Sequence, residues 1–178
     1  MPRSLLLAAA AAASLTLSAC AADEAMMEAT GSSEATPNAR DAYVAMAGAS
    51  DLFEIQSSQL ARSRAQSPSV RDFAQMMIDH HTTTTAQLTA AARAAGMAPL
   101  VPTLLPMQAT MMGKLQSASG ADFDRLYMSQ QVQAHELALA LHSNYARNGD
   151  TAALRAVAQA ATPIVQQHLD RARALAGG

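Results

Sequence analysis

Apolar and small residues recur at three- and four-residue steps through most of this chain, the period of helices that bury one face. The clearest case covers residues 67–96, where Val70, Phe73, Met77, His81, Thr84, Leu88, Ala91 and Ala95 fall on one side. Ser67 predicts an N-cap, Pro68 fits the first helical position, and Gly96 suits a left-handed C-terminal stop. His81 stands at the centre of that stripe. His80 lies about a third of a turn away, beside Met76 and Thr83, and Asp79 points to solvent.

Three further long helices follow from the same pattern. Residues 41–64 carry a stripe of Tyr43, Met46, Ala49, Ser50, Phe53, Ser57, Leu60 and Ala61, with Glu54 at its edge. Residues 122–147 bury Phe123, Tyr127, Ala134, Ala138, Leu141 and Tyr145, place His135 and His142 on one flank with Gln131, and stop at Asn148-Gly149. The last helix is predicted from an Asp150 N-cap to about residue 175, kinked at Pro163, with His168 central on the stripe of Leu154, Val157, Ala161, Ile164, Val165, Ala172 and Leu175. Residues 97–120 contain three prolines and are too long for a tight turn. They predict a crossover with a short helix over 107–117, which would make the second and third long helices parallel. The expected fold is all-α, a ferritin-like four-helix bundle with a crossover connector containing a short extra helix.

Composition agrees with this and narrows the setting. Half of the 178 residues are hydrophobic, yet aromatics are 3% and Trp is absent, an alphabet that favours helix over strand. The net charge is −2 and no basic cluster occurs, which argues against nucleic acid as a partner. Residues 1–19 read as an export signal: one Arg, a short apolar core, then small residues. They end in Leu17-Ser18-Ala19-Cys20, which resembles the lipobox of bacterial lipoproteins, so lipidated Cys20 is expected to anchor the chain to a membrane. Ala21 rather than Asp favours the outer membrane of a Gram-negative host. The alternative is an ordinary secretory signal with Cys20 incidental. Residues 20–40 are small, polar and acidic, a tether, and the folded domain occupies 41–176.

Each long helix thus brings one ionisable group to its inner face: Glu54, His81, His135 and His168. Three imidazoles and one carboxylate suit a single Zn, Cu, Fe or Ni ion; His80, His142 and Tyr127 are candidates for the surrounding shell, and Tyr43 and Tyr145 for hydrogen bonds to ligand nitrogens. The alternative is a polar core of hydrogen-bonded histidines. No organic cofactor is indicated. No Glu-x-x-His pair occurs, which argues against a ferritin di-iron centre, and phosphate loops, nucleophile elbows and a catalytic Cys are absent from the sequence. Enzyme activity is therefore not the favoured expectation.

The segments VRDFAQMMIDHH with Thr82 and Leu88, FDRLYMSQQVQAH, and PIVQQHLDRARAL resemble the bacterial ferritin-like family of domain of unknown function 4142. The resemblance covers residues 41–175 and implies an exported helical bundle. It also implies motif positions at Glu54, at His81, at His135 after Phe-Asp-x-x-Tyr, and at His168. His80 stands where the family usually has an acid. The family has no established activity, so the resemblance bears on fold and placement. Three readings follow: a metal-binding envelope lipoprotein for sequestration, sensing or stress protection; a structural or interaction module of the envelope; and a metalloenzyme with an open coordination position.

Overall fold

A computed structural model describes residues 37–99 and 101–177; the expected signal peptide, Cys20 and most of the tether lie outside the described residues. Among the described residues there are five helices and no strand: α1 (Arg40–Arg64), α2 (Pro68–Ala94), α3 (Pro106–Ser117), α4 (Gly120–Asn148) and α5 (Ala152–Ala176). None is long and apolar enough to cross a membrane.

The long helices form a ring in which α1 and α5 each pack against both α2 and α4. Polar contacts at the two ends fix their directions. At one end the Arg40 amide, opening α1, donates to Asp150 ahead of α5 (3.1 Å), and its guanidinium donates to the Ala95 carbonyl at the end of α2 (3.2 Å). At the other end Arg64, closing α1, donates to the Gln116 carbonyl at the end of α3 (2.9 Å). There too, Asp124 in the first turn of α4 accepts the amides of Gln66 and Ser67. So α1 and α5 run one way, α2 and α4 the other, and the connector must travel the length of the bundle. The expected crossover is present, with α3 lying over α1 and α4. Its approach is close: a Cβ on Gly48 of α1 would stand 3.2 Å from Pro102 Cγ.

The helix ends differ from the sequence reading in their chemistry. Gly96 does take the left-handed conformation (φ 73°), closing α2 with the Met97 amide on the Ala92 carbonyl. Ser67 does occupy the N-cap position, but its hydroxyl makes no capping bond; the Asp124 carboxylate from the neighbouring helix accepts its amide and that of Gln66. The N-cap of α5 is Thr151, not Asp150; the Asp150 carboxylate instead accepts from Tyr145 Oη (2.8 Å) and the Arg40 amide. Gly149 has φ −61°, so conformational freedom is not what it supplies. A Cβ there would stand 2.4 Å from Tyr145 Cε1, so space is. Helix α5 continues through Pro163 to Ala176 without interruption.

The core divides into two apolar blocks. One, towards the α1–α2 turn, gathers Ala61, Val70, Phe73, Met77, Leu115, Phe123, Tyr127 and Ala172; the other, towards the α4–α5 turn, gathers Tyr43, Val44, Leu88, Leu141, Tyr145, Leu154 and Ala158. Phe53, Met111, Met112 and Ala134 pack under the connector. Between the two blocks lies a buried polar layer: Asp51, Glu54, Ser57 and Ser58 from α1, His81 from α2, Gln131 and His135 from α4, and His168 from α5. Burying these eight polar side chains in one layer is costly unless each finds a partner.

Candidate metal centre

His81 and His135 sit near the middle of α2 and α4, about 20 Å from either end, and His168 sits about 12 Å from the C-terminal end of α5, at the same height. They are 5%, 1% and 3% exposed. One ring nitrogen from each lies within 4.8 Å of the others. The ring centroids are 5.4 to 5.7 Å apart, with tilted or edge-on planes.

In every ring one nitrogen is engaged and the other is bare. His81 Nδ1–H donates to Asp51 Oδ1 (2.8 Å), and His135 Nδ1–H donates to the Gln131 carbonyl (2.8 Å). These bonds fix the tautomer that leaves a lone pair on each Nε2. His168 Nε2 lies 2.8 Å from His80 Nδ1; when His168 is the donor, its Nδ1 carries the lone pair. His81 Nε2, His135 Nε2 and His168 Nδ1 are buried and have no hydrogen-bond partner among the described residues. Buried polar atoms are nearly always paired, and three unpaired imidazole nitrogens this close together form a set that can hold one metal ion.

Glu54 stands beside this group. Its Oε1 is 3.8 Å from His135 Nδ1, and neither carboxylate oxygen has a hydrogen-bond partner among the described residues. Burial pushes its pKa up to about 7, with the nearby His81 pulling it part of the way back. Burial likewise holds His135 neutral, its pKa lowered to about 3, and His168 neutral, lowered to about 2, each also repelled by His81. In His81 burial opposes the charge, but the bond to Asp51 and the carboxylates of Asp51 and Glu54 outweigh it and raise the pKa.

The other sequence-predicted residues lie as follows. His80 is exposed and bonded to His168. His142 Nδ1 pairs with Tyr43 Oη (3.1 Å), and Tyr127 Oη pairs with Ser58 Oγ (2.8 Å). Tyr145 stacks on Tyr43 and bonds Asp150. The hydroxyls of all three tyrosines are therefore committed to partners other than the triad. Cys20 lies outside the described residues.

Asp51 escaped the sequence reading. It is 7% exposed and tied on both oxygens: Oδ1 accepts from His81 and from Thr84 Oγ1 (3.0 Å), and Oδ2 from Thr85 Oγ1 (3.0 Å). Two signals could have found it. Asp51 precedes Glu54 by three residues, on one helix face, and Thr82 to Thr85 supply a run of hydroxyls beside His81.

The fold is shared with solved structures of CopM. The Cu(II)-bound form matches with a TM-score of 0.67 at 14% identity, covering 78% of this chain and 96% of that one. The apo form matches at 0.62 and 15%, covering 76% and 93%. No curated protein matches the chain. The family model described as "Domain of unknown function (DUF4142)" matches residues 25–175, and the chain therefore belongs to that family.

Proposed function

We propose that this protein is an exported, lipid-anchored metal-binding protein that holds one transition metal ion inside the bundle, for sequestration or protection of the cell envelope. The observation that carries this reading is the trio of bare nitrogens on His81, His135 and His168. A polar core explains the engaged nitrogen of each ring but not the bare one. Neutral His135 and His168, with His81 once it yields its proton to the ion, form a nitrogen set suited to Cu, Zn, Fe or Ni; Glu54 stands behind His135, on the side of Nδ1, as a nearby negative charge. The similarity in fold to a protein solved in a Cu(II)-bound form puts copper first among these. Asp51 and the Gln131 carbonyl orient two of the donors, and the apolar blocks above and below exclude water. A bound cation would also stabilise the ionised form of Glu54, whose carboxyl otherwise has a raised pKa.

The test is thermal melting of the protein against increasing Cu(II), Zn(II), Fe(II) and Ni(II), beside His81→Ala and His168→Ala. An ion that binds only the folded chain raises Tm with concentration, by about 2.7 kcal/mol of stability at a hundredfold excess over Kd. The expected result is such a rise in the wild type that both substitutions abolish. A wild type indifferent to every metal, with variants that merely melt earlier, would return the histidines to a polar core.

A further inference from the structure

Three nearly fully buried donors leave unexplained how an ion passes the helix wall, and the ring of His168 bears on this. Of the triad, it is the ring bonded to a surface histidine: His80, exposed on α2, stacks on it with centroids 5.0 Å apart and planes 23° apart. His168 Nε2 faces His80 Nδ1 at 2.8 Å, while His168 Nδ1 is buried and bare. The same ring lies 5.4 Å from both His81 and His135. One imidazole therefore has a nitrogen facing each way, and the position of its proton decides which of the two bears the lone pair. Helix α5 is also the wall member with an opened ladder, because Pro163, little more than one turn before His168, has no amide to donate.

A hydrated cation loses water cheaply only when a donor replaces each molecule lost, since an unpaired charge in an apolar interior is very costly. With the His168 proton on Nδ1, His80 Nδ1 and His168 Nε2 are two adjacent lone pairs at the surface end of that path, and return of the proton to Nε2 frees Nδ1 for the inner site. We propose that His80 is the surface ligand through which the metal reaches the buried triad, sharing the ion with His168 before it passes inward. This rests on the buried-site reading and assigns His80 to loading and release, not to the resident site.

The experiment compares Cu(II) uptake and chelator-driven release in the full chain, wild type against His80→Gln and His80→Glu, with bound stoichiometry and Kd measured on the same samples. His80→Gln is expected to slow uptake and release together by about tenfold or more, leaving stoichiometry unchanged and Kd within about threefold. His80→Glu, which keeps a metal donor of similar reach, is expected to restore most of the rate. Wild-type uptake rates in His80→Gln would overturn the proposal, as would a weakened Kd with faster release, which would make His80 a resident ligand. A wild type that binds no Cu(II) at all would instead bring down the buried-site reading, and this proposal with it.

Discussion

Asp51 Oδ1 lies 2.8 Å from His81 Nδ1, joining α1 to α2 at the level of the buried histidines. The carboxylate accepts from two threonines as well, so it is held rigidly and holds the ring in turn. Loss of such an orienting partner commonly reduces metal affinity about 10- to 100-fold. Asp51→Asn is expected to weaken metal binding to that degree while the far-ultraviolet circular dichroism stays helical. Unchanged affinity in a direct titration would show that His81 needs no such support.

Glu54 costs the metal-free protein stability. Its folded pKa is raised to about 7 from an ordinary 4.5, so the folded state holds a proton that the unfolded state has lost. The resulting loss of stability starts as pH rises above 4.5 and is complete once pH exceeds 7. Glu54→Gln is neutral throughout. The variant's advantage in metal-free Tm should therefore grow between pH 5 and pH 8, and its metal affinity should fall. An advantage independent of pH would contradict the assignment.

Acid acts through the other sign. His135, His142 and His168 have pKa values lowered by burial to about 3, 4 and 2, so below the ordinary 6.5 the unfolded chain takes up protons that the folded chain refuses. Glu54 opposes this between pH 7 and 4.5, but three groups outnumber one. His81, with a raised pKa, contributes stability that is fully present below 6.5 and adds no slope there. Metal-free melts should move to lower temperature from pH 6.5 to pH 5, and His168→Gln should flatten the slope. A Tm rising over that range would refute it.

Gly149 tests the packing beyond the site. A Cβ there would meet Tyr145 Cε1, Cδ1 and Cζ at 2.4 to 2.6 Å, and Tyr145 both stacks on Tyr43 at 3.8 Å and bonds Asp150. Gly149→Ala must push that ring aside, an overpacking cost of about 1–3 kcal/mol. Denaturant unfolding is the check. A midpoint equal to that of the wild type would mean that the turn yields freely.

Much of this was legible in the sequence because helix period and proline position are local signals. The stripes put Phe73, His81 and His168 on buried faces, and the three prolines of the connector implied the crossover that makes α2 and α4 parallel. What was not legible depends on neighbours across the bundle. Ser67 stands at the N-cap but its hydroxyl makes no cap, while Asp124 reaches across from α4 to hold the turn's amides, and Gly149 looks like a flexible stop until Tyr145 fills the space beside it. Asp51 and Glu54 share a face, but only the depth of α2 shows that Asp51 meets His81 while Glu54 turns towards His135. His80 reads as a neighbour of His81 along the chain, whereas its bond goes to His168 on another helix.

The most direct test of the central claim is X-ray absorption at the K-edge of copper, or of whichever metal the melts select, on protein loaded with one equivalent. The account predicts the outer-shell scattering of three imidazoles, with nitrogen and oxygen donors at about 2.0–2.2 Å, and loss of one imidazole in His135→Ala. A first shell of oxygen or sulfur with fewer than two imidazoles, unchanged by that substitution, would place the metal elsewhere and contradict a site built from His81, His135 and His168.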